Sequence, residues 1–236
     1  MSPASASILQ DRADAGRRLA RLLEPYRDAH PLILALPRGG VPVAAVVATA
    51  LGAPLDILVV RKLGIPGHPE FGFGAIGEDG VLVLDQGTTT ALGLTRSEIA
   101  HVHATEQAEL ERRLAHYRQA APALELADQM VIIVDDGLAT GGTMLAAIAV
   151  ARAKGAASVI LAVPVAAPPA LARIGTEADQ VICVLQPANF EAVGKWYLDF
   201  AETSDAQVVD LLAANRHPHP SPNSRGLLHP ARSPRP

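Results

Sequence analysis

Residues Val131–Met144 read V-I-I-V-D-D-G-L-A-T-G-G-T-M. Four apolar residues of strand length end in two adjacent carboxylates, Asp135 and Asp136, and a short turn then leads into a helical pattern. Ala139, Gly141 and Gly142 carry little or no side chain, so backbone N–H groups there can come close to an anion. Thr140 and Thr143 add hydroxyl donors, and the helix start adds its partial positive charge. Such a turn suits a phosphate monoester. Adjacent carboxylates suit a pair of sugar hydroxyls, whose protons they accept. A phosphate beside a diol is what a ribose 5-phosphate presents. The plainer alternative makes Thr140 a helix N-cap and the two acids solvated residues at a strand end.

The elements that position this segment follow from the apolar pattern. Strands are expected at Leu32–Leu36, Leu55–Val60, Met130–Val134, Val159–Val163 and Val181–Leu185, with a return strand at Val81–Leu84. Helical spacing covers 8–24, a segment from Gly40 to about Leu51, Thr95–Gln119, Gly142–Ala153 and Ala170–Ile174. Alternating strands and helices predict an α/β fold, a doubly wound and mostly parallel five-stranded sheet with helices on both faces. Ligands of such sheets bind outside the carboxyl ends of the strands. Arg38-Gly39-Gly40, Arg61-Lys62 and Asp135-Asp136 all follow strand ends, so three polar groups converge on one rim. Residues 63–80 hold six Gly, two Pro, Phe71 and Phe73, which reads as a mobile loop or irregular hairpin. Within it Gly72-Phe73-Gly74-Ala75-Ile76-Gly77 matches G-x-G-x-x-G, but no strand precedes it and no helix follows. The dinucleotide reading is therefore rejected and the glycines are read as flexibility.

Composition narrows the class. The 236 residues carry 49% apolar and 19% charged side chains and a net charge of −4, which suits a globular protein. A single cysteine, Cys183, excludes a disulfide framework and reads as a small buried hydrophobe. Residues 214–236 hold four Arg, six Pro and no acid, and are expected to be a disordered tail behind one domain spanning 1–213. The rest of the chain is acidic, which argues against a broad nucleic-acid face. No signal peptide or membrane span is evident, so the expected compartment is the cytoplasm. Of eight aromatic residues, Phe71 and Phe73 fall in the Gly-rich segment, and Phe190, Trp196, Tyr197 and Phe200 cluster near the carboxyl end. Six rings are thus expected over a ligand and not in the core.

The string D-D-G-L-A-T-G-G-T resembles the phosphoribosyl pyrophosphate (PRPP) motif of the type I phosphoribosyltransferases, in the form seen in adenine phosphoribosyltransferases. The resemblance implies that Asp135 and Asp136 hold the ribose hydroxyls and that Ala139, Thr140, Gly141, Gly142 and Thr143 hold the 5-phosphate. Pro37-Arg38-Gly39-Gly40 resembles the family's pyrophosphate loop, and 61–84 its mobile loop, opened by Arg61 and Lys62. Pro187–Phe200 is similar to the hood of hypoxanthine–guanine phosphoribosyltransferases, formed here by about 185–203 with the amino-terminal segment. That implies Phe190 stacked on a base with Trp196 nearby, and Asp199 beside magnesium together with Asp135 and Asp136. A homodimer is the family expectation.

The sequence departs from the hypoxanthine–guanine pattern at Ala139, where those enzymes have an Asp, and lacks a base-reading Lys near Ala178. Glu70 or Glu78 could assist an adenine-like acceptor instead. The implied reaction is Mg2+-dependent transfer of the phosphoribosyl group to a nitrogen nucleophile, with Arg38, Arg61 and Lys62 neutralising the leaving pyrophosphate. The alternative is a PRPP sensor with little catalysis. A phosphosugar hydrolase or isomerase is a third reading, but no nucleophile motif is present, and His101 and His103 point to different sides of a helix.

Overall fold

In the computed structural model, residues 8–65, 67–118, 123 and 125–215 are described. The main sheet has five parallel strands: β1 (Leu32–Ala35), β2 (Leu55–Ile57), β6 (Met130–Val134), β7 (Ser158–Val165) and β8 (Gln180–Leu185). Their order is β2-β1-β6-β7-β8. All of Leu32–Ala35 and Val131–Val134 is buried, and alternate residues serve opposite faces. Ile33, Ala35, Ile132 and Val134 join the core cluster under α1 (Arg12–Leu23) and α2 (Gly40–Leu51). Leu32, Leu34, Val131 and Ile133 join the cluster under α5 (Gly142–Ala153) and α6 (Pro168–Ile174). Burial on both faces explains why these strands read as unbroken apolar runs. The doubly wound parallel sheet expected from the sequence is therefore present.

Of the two readings of 63–80, mobile loop or irregular hairpin, the structure has the hairpin: an antiparallel sheet of β3 (Val60–Ile65), β4 (His68–Gly77) and β5 (Leu82–Leu84), the last at the expected return strand. Gly67 and Gly80 take left-handed turn conformations in open space, whereas Gly74 and Gly77 permit close packing. A Cβ on Gly74 would lie 2.4 Å from the Val83 carbonyl, and one on Gly77 would lie 2.4 Å from Val150 of α5. Phe73 is fully buried in the core, so it covers no ligand as the sequence suggested. The expected strand Leu55–Val60 also divides: β2 ends at Ile57, and Val60 opens β3.

The long α4 (Arg96–Tyr117) follows the short α3 (Gln86–Ala91) and lies against β3 and β4. A Thr95–Glu98 capping box starts α4. Its far end is tied down by Arg118, which donates to Asp56, to the Ile57 carbonyl at 3.0 Å and to both Glu78 oxygens at 2.8 and 2.9 Å. Helix α7 (Asp205–Asn215) includes the first two residues assigned to the tail; 216–236 lie outside the described residues. Among the described residues, no helix is long and apolar enough to cross a membrane.

Candidate active site

The register of β1 against β6 builds the site. Ala35 lies opposite Val134, and the Leu36 N–H donates to the Val134 carbonyl at 2.9 Å. The loop from Pro37 and the acid pair therefore leave the sheet side by side. Two glycines let them touch. A Cβ on Gly40 would lie 2.6 Å from the Val134 carbonyl, and one on Gly39 would overlap the Asp136 carboxylate at 2.0 Å.

The two carboxylates have different surroundings. Asp135 Oδ1 accepts the Asp136 N–H at 2.9 Å. Burial, and next the charge of Asp136, push the Asp135 pKa well above the usual carboxylate range. Asp136 Oδ2 accepts two N–H groups of Arg12, from Nε at 3.0 Å and Nη2 at 2.7 Å. The Tyr197 hydroxyl donates to the Asp136 carbonyl at 2.6 Å.

The turn after the acids is held to β7, since Leu138 donates to Val165 and Ala167 donates to Leu138, each at 2.9 Å. Gly141 has a φ of +82°, which favours glycine, and it occupies the N-cap position of α5. Thr140 is therefore not the cap and lies exposed, as do Ala139 and Thr143. The expected short turn of small and hydroxyl residues leading into a helix is present, with Gly141 buried within it.

Lys62 reaches this turn from β3. A Cβ on Gly142 would lie 3.5 Å from Lys62 Cδ and 3.7 Å from its Nζ. The stem crosses β4 over Gly72, where a Cβ would lie 2.8 Å from Lys62 Cγ. Lys62 and Thr143 border a cavity of about 360 Å³ that also touches Pro37, Arg61, Glu106 and Arg113. A cavity of about 600 Å³, bordered by Arg38, His116, Tyr117 and Asp205, shares Pro37 and Arg113 with it.

Several proposed residues already have partners. Arg61 donates to Glu106 of α4 at 2.7 Å, so this member of the expected basic pair turns toward α4. Arg38 bonds Glu202 and lies 4.0 Å from Asp205. Glu78 is buried against Arg118 and is not a proton carrier on an open loop. The Glu70 side chain lies outside the described residues. In the hood, Phe190 is half-buried against the main core and the Nε1 of Trp196 is buried without a partner. The Asp199 carboxylate accepts the Ala201 N–H at 3.0 Å, and no cluster of three or more metal-ligating side chains occurs among the described residues. The amino-terminal segment pairs with this region: Leu9 donates to Trp196 and accepts from Leu198, both at 2.9 Å.

Arg12, Arg113 and the Tyr197 hydroxyl contact were not evident from sequence. Arg12 is one of four arginines in residues 12–21, and no local pattern separates it from the other three.

Comparison with known proteins places the chain in a family. A family model described as the phosphoribosyl transferase domain matches residues 5–200. Two Mycobacterium tuberculosis sequences, from strains CDC 1551 and H37Rv and named only provisionally as phosphoribosyl transferases, are each 47% identical over 205 residues. That stretch is 87% of this chain and 46% of theirs, so the chain spans about half the length of these curated relatives. The crystal structure of TT1426 from Thermus thermophilus superposes with a TM-score of 0.84 at 40% identity, covering 89% of this chain and all of that one. With its motif at a strand end of a parallel sheet and a family match across most of its length, the chain belongs to the phosphoribosyl transferase family.

Proposed function

We propose that this chain transfers the 5-phosphoribosyl group of PRPP to a nitrogen nucleophile such as a nucleobase, and releases pyrophosphate. The observation that carries the reading is the arrangement of the acid pair. It exits beside the Arg38 loop on one side and leads into the Gly141–Thr143 turn on the other, with Lys62 reaching that turn. Phosphate, diol and pyrophosphate thereby have adjacent partners of complementary charge. The bond from ribose C1 to the pyrophosphate oxygen breaks, a C1–N bond forms, and the nucleophile gives up a proton. Lys62 and Arg38 offset the growing charge on the leaving group, while Asp135 and Asp136 hold the sugar.

The hard oxygens of Asp135 and Asp136 suit Mg2+. With no three-ligand cluster among the described residues, such an ion would take most of its ligands from phosphates and water. When bound, it would supply charge neutralisation at the pyrophosphate.

Thermal-shift measurement with Mg2+ and PRPP tests the reading, followed by pyrophosphate release over a panel of bases. A rise in melting temperature with turnover is expected. The Asp135→Asn/Asp136→Asn double variant should lose the shift while keeping its circular dichroism spectrum. No shift in the wild type refutes the reading, and a shift with no turnover on any base favours a PRPP sensor.

A further inference from the structure

The contact between Arg12 and Asp136 links the start of the chain to its catalytic motif. Both donors of Arg12 land on one oxygen, Oδ2, leaving Oδ1 outside that contact. The two side chains are only 12% and 15% exposed, so solvent and salt screen the pair far less than a surface pair. Arg12 is itself fixed on other sides. Its Nη1 donates to the Ala201 carbonyl at 2.5 Å, and its guanidinium lies 4.0 Å above the Phe200 ring. That ring packs 4.9 Å from Tyr197, whose hydroxyl returns to the Asp136 carbonyl. The circuit is closed: Arg12 and Tyr197 both hold Asp136, and Phe200 holds both of them.

We propose that Arg12 is a positioning residue for PRPP, orienting the Asp136 carboxylate so that Oδ1 meets a ribose hydroxyl and coupling that orientation to the hood. The inference rests on the proposed phosphoribosyl transfer. The coupling is direct, because Leu9, three residues before Arg12, pairs with the backbone on either side of Tyr197. A displaced hood would drag Arg12, and Asp136 would lose the two donors that orient it. The site also asks for arginine in particular. A planar fork can place two donors on one carboxylate oxygen, present a third to a carbonyl and stack on a ring, whereas an ammonium cannot satisfy all of these together.

Isothermal titration with PRPP and, separately, with pyrophosphate, each with Mg2+, tests the proposal. Pyrophosphate lacks the diol and serves as the internal control. Arg12→Ala is expected to weaken PRPP binding about tenfold, the loss of roughly one charge-assisted hydrogen bond, and pyrophosphate binding by a clearly smaller factor. Arg12→Lys should recover only part of the loss. If Arg12→Ala does not fold, Phe200→Leu removes the ring platform and should give a smaller loss with the same selectivity for PRPP. Unchanged PRPP binding, or equal losses for both ligands, overturns the role of Arg12 alone. Failure of the wild type to bind PRPP overturns the transferase reading and this inference with it.

Discussion

The motif segment 131–144 and the hairpin sheet 60–84 both border the candidate site, yet Gly141 in one and Gly74 and Gly77 in the other are needed for different reasons. In the motif, Gly141 adopts a left-handed conformation at the N-cap of α5, so glycine there serves the backbone angle of the turn. In the hairpin, Gly74 and Gly77 have no left-handed conformation, and each is pressed against a neighbour that a Cβ would strike. Glycine there lets β4 lie against β5 and α5. Gly141 is required by a backbone angle, and Gly74 and Gly77 by the closeness of their neighbours. The difference predicts where substitutions harm stability and where they harm binding.

The largest effect is expected at the clamp that fastens the hairpin to α4. Arg118 is 14% exposed and serves Asp56 and Glu78, which are 4% and 7% exposed. Arg118→Ala leaves two buried acids without this cation and should cost about 3–5 kcal/mol of unfolding free energy by urea denaturation. A loss below about 1 kcal/mol would show that the hairpin is not a packed part of the domain. Gly77→Val, which forces methyl groups against Val150, should cost about 1–3 kcal/mol. In a protein of this size each kcal/mol lowers the melting temperature by roughly 2–4 °C. A neutral result would favour the loop over the hairpin among the two readings of 63–80.

The motif should behave in the opposite manner. Burial and the neighbouring charge of Asp136 raise the Asp135 pKa above its ordinary value of 3.8. A raised acid favours the protonated form in the folded state. Its contribution to stability is therefore full below the unfolded pKa and declines as pH rises through the folded one. Asn resembles the protonated acid, so Asp135→Asn should melt higher than the wild type at about pH 7.5 and converge with it near about pH 4. The same variant should lose the PRPP-induced shift. A wild type that melts higher at neutral pH would mean that Asp135 is not held under electrostatic stress.

This contrast also explains what could be read in advance. The parallel strands were legible because burial on both faces leaves continuous apolar runs, and the helix Gly142–Ala153 was bounded correctly by its glycines and Lys154. The turn from Ala139 to Thr143 was legible as a helix start because its pattern of small and hydroxyl residues is local. The hairpin was legible only as one of two alternatives, since six glycines in 63–80 have the same composition whether they loosen a loop or tighten a sheet. The run Leu55–Val60 gave no hint that it feeds two sheets, because apolar continuity does not record a change of direction. Arg12 with Asp136 and Arg118 with Glu78 join residues 124 and 40 positions apart, and periodicity carries no information over such distances. Arg61 and Lys62 looked equivalent as neighbours, but strand alternation sends them to different partners.

That last pair offers the finest test. Arg61 is held at 2.7 Å by Glu106, with side chains 29% and 22% exposed, at the edge of the cavity that Lys62 and Thr143 border. Glu106→Gln removes the carboxylate charge while keeping a side chain of the same shape, so the Arg61 guanidinium becomes available to an anion in that cavity. A partly exposed pair contributes little to folding, so stability should change by less than about 1 kcal/mol. Pyrophosphate binding with Mg2+ should tighten by roughly two- to fivefold at low salt, and the gain should shrink as ionic strength rises, because the added attraction is between partly solvated charges. Adding Arg61→Ala to Glu106→Gln should abolish the gain. A gain that survives Arg61→Ala would assign the effect to the lost negative charge of Glu106, and Arg61 would then belong with Arg118, as a residue that packs the hairpin and takes no part in holding the leaving group.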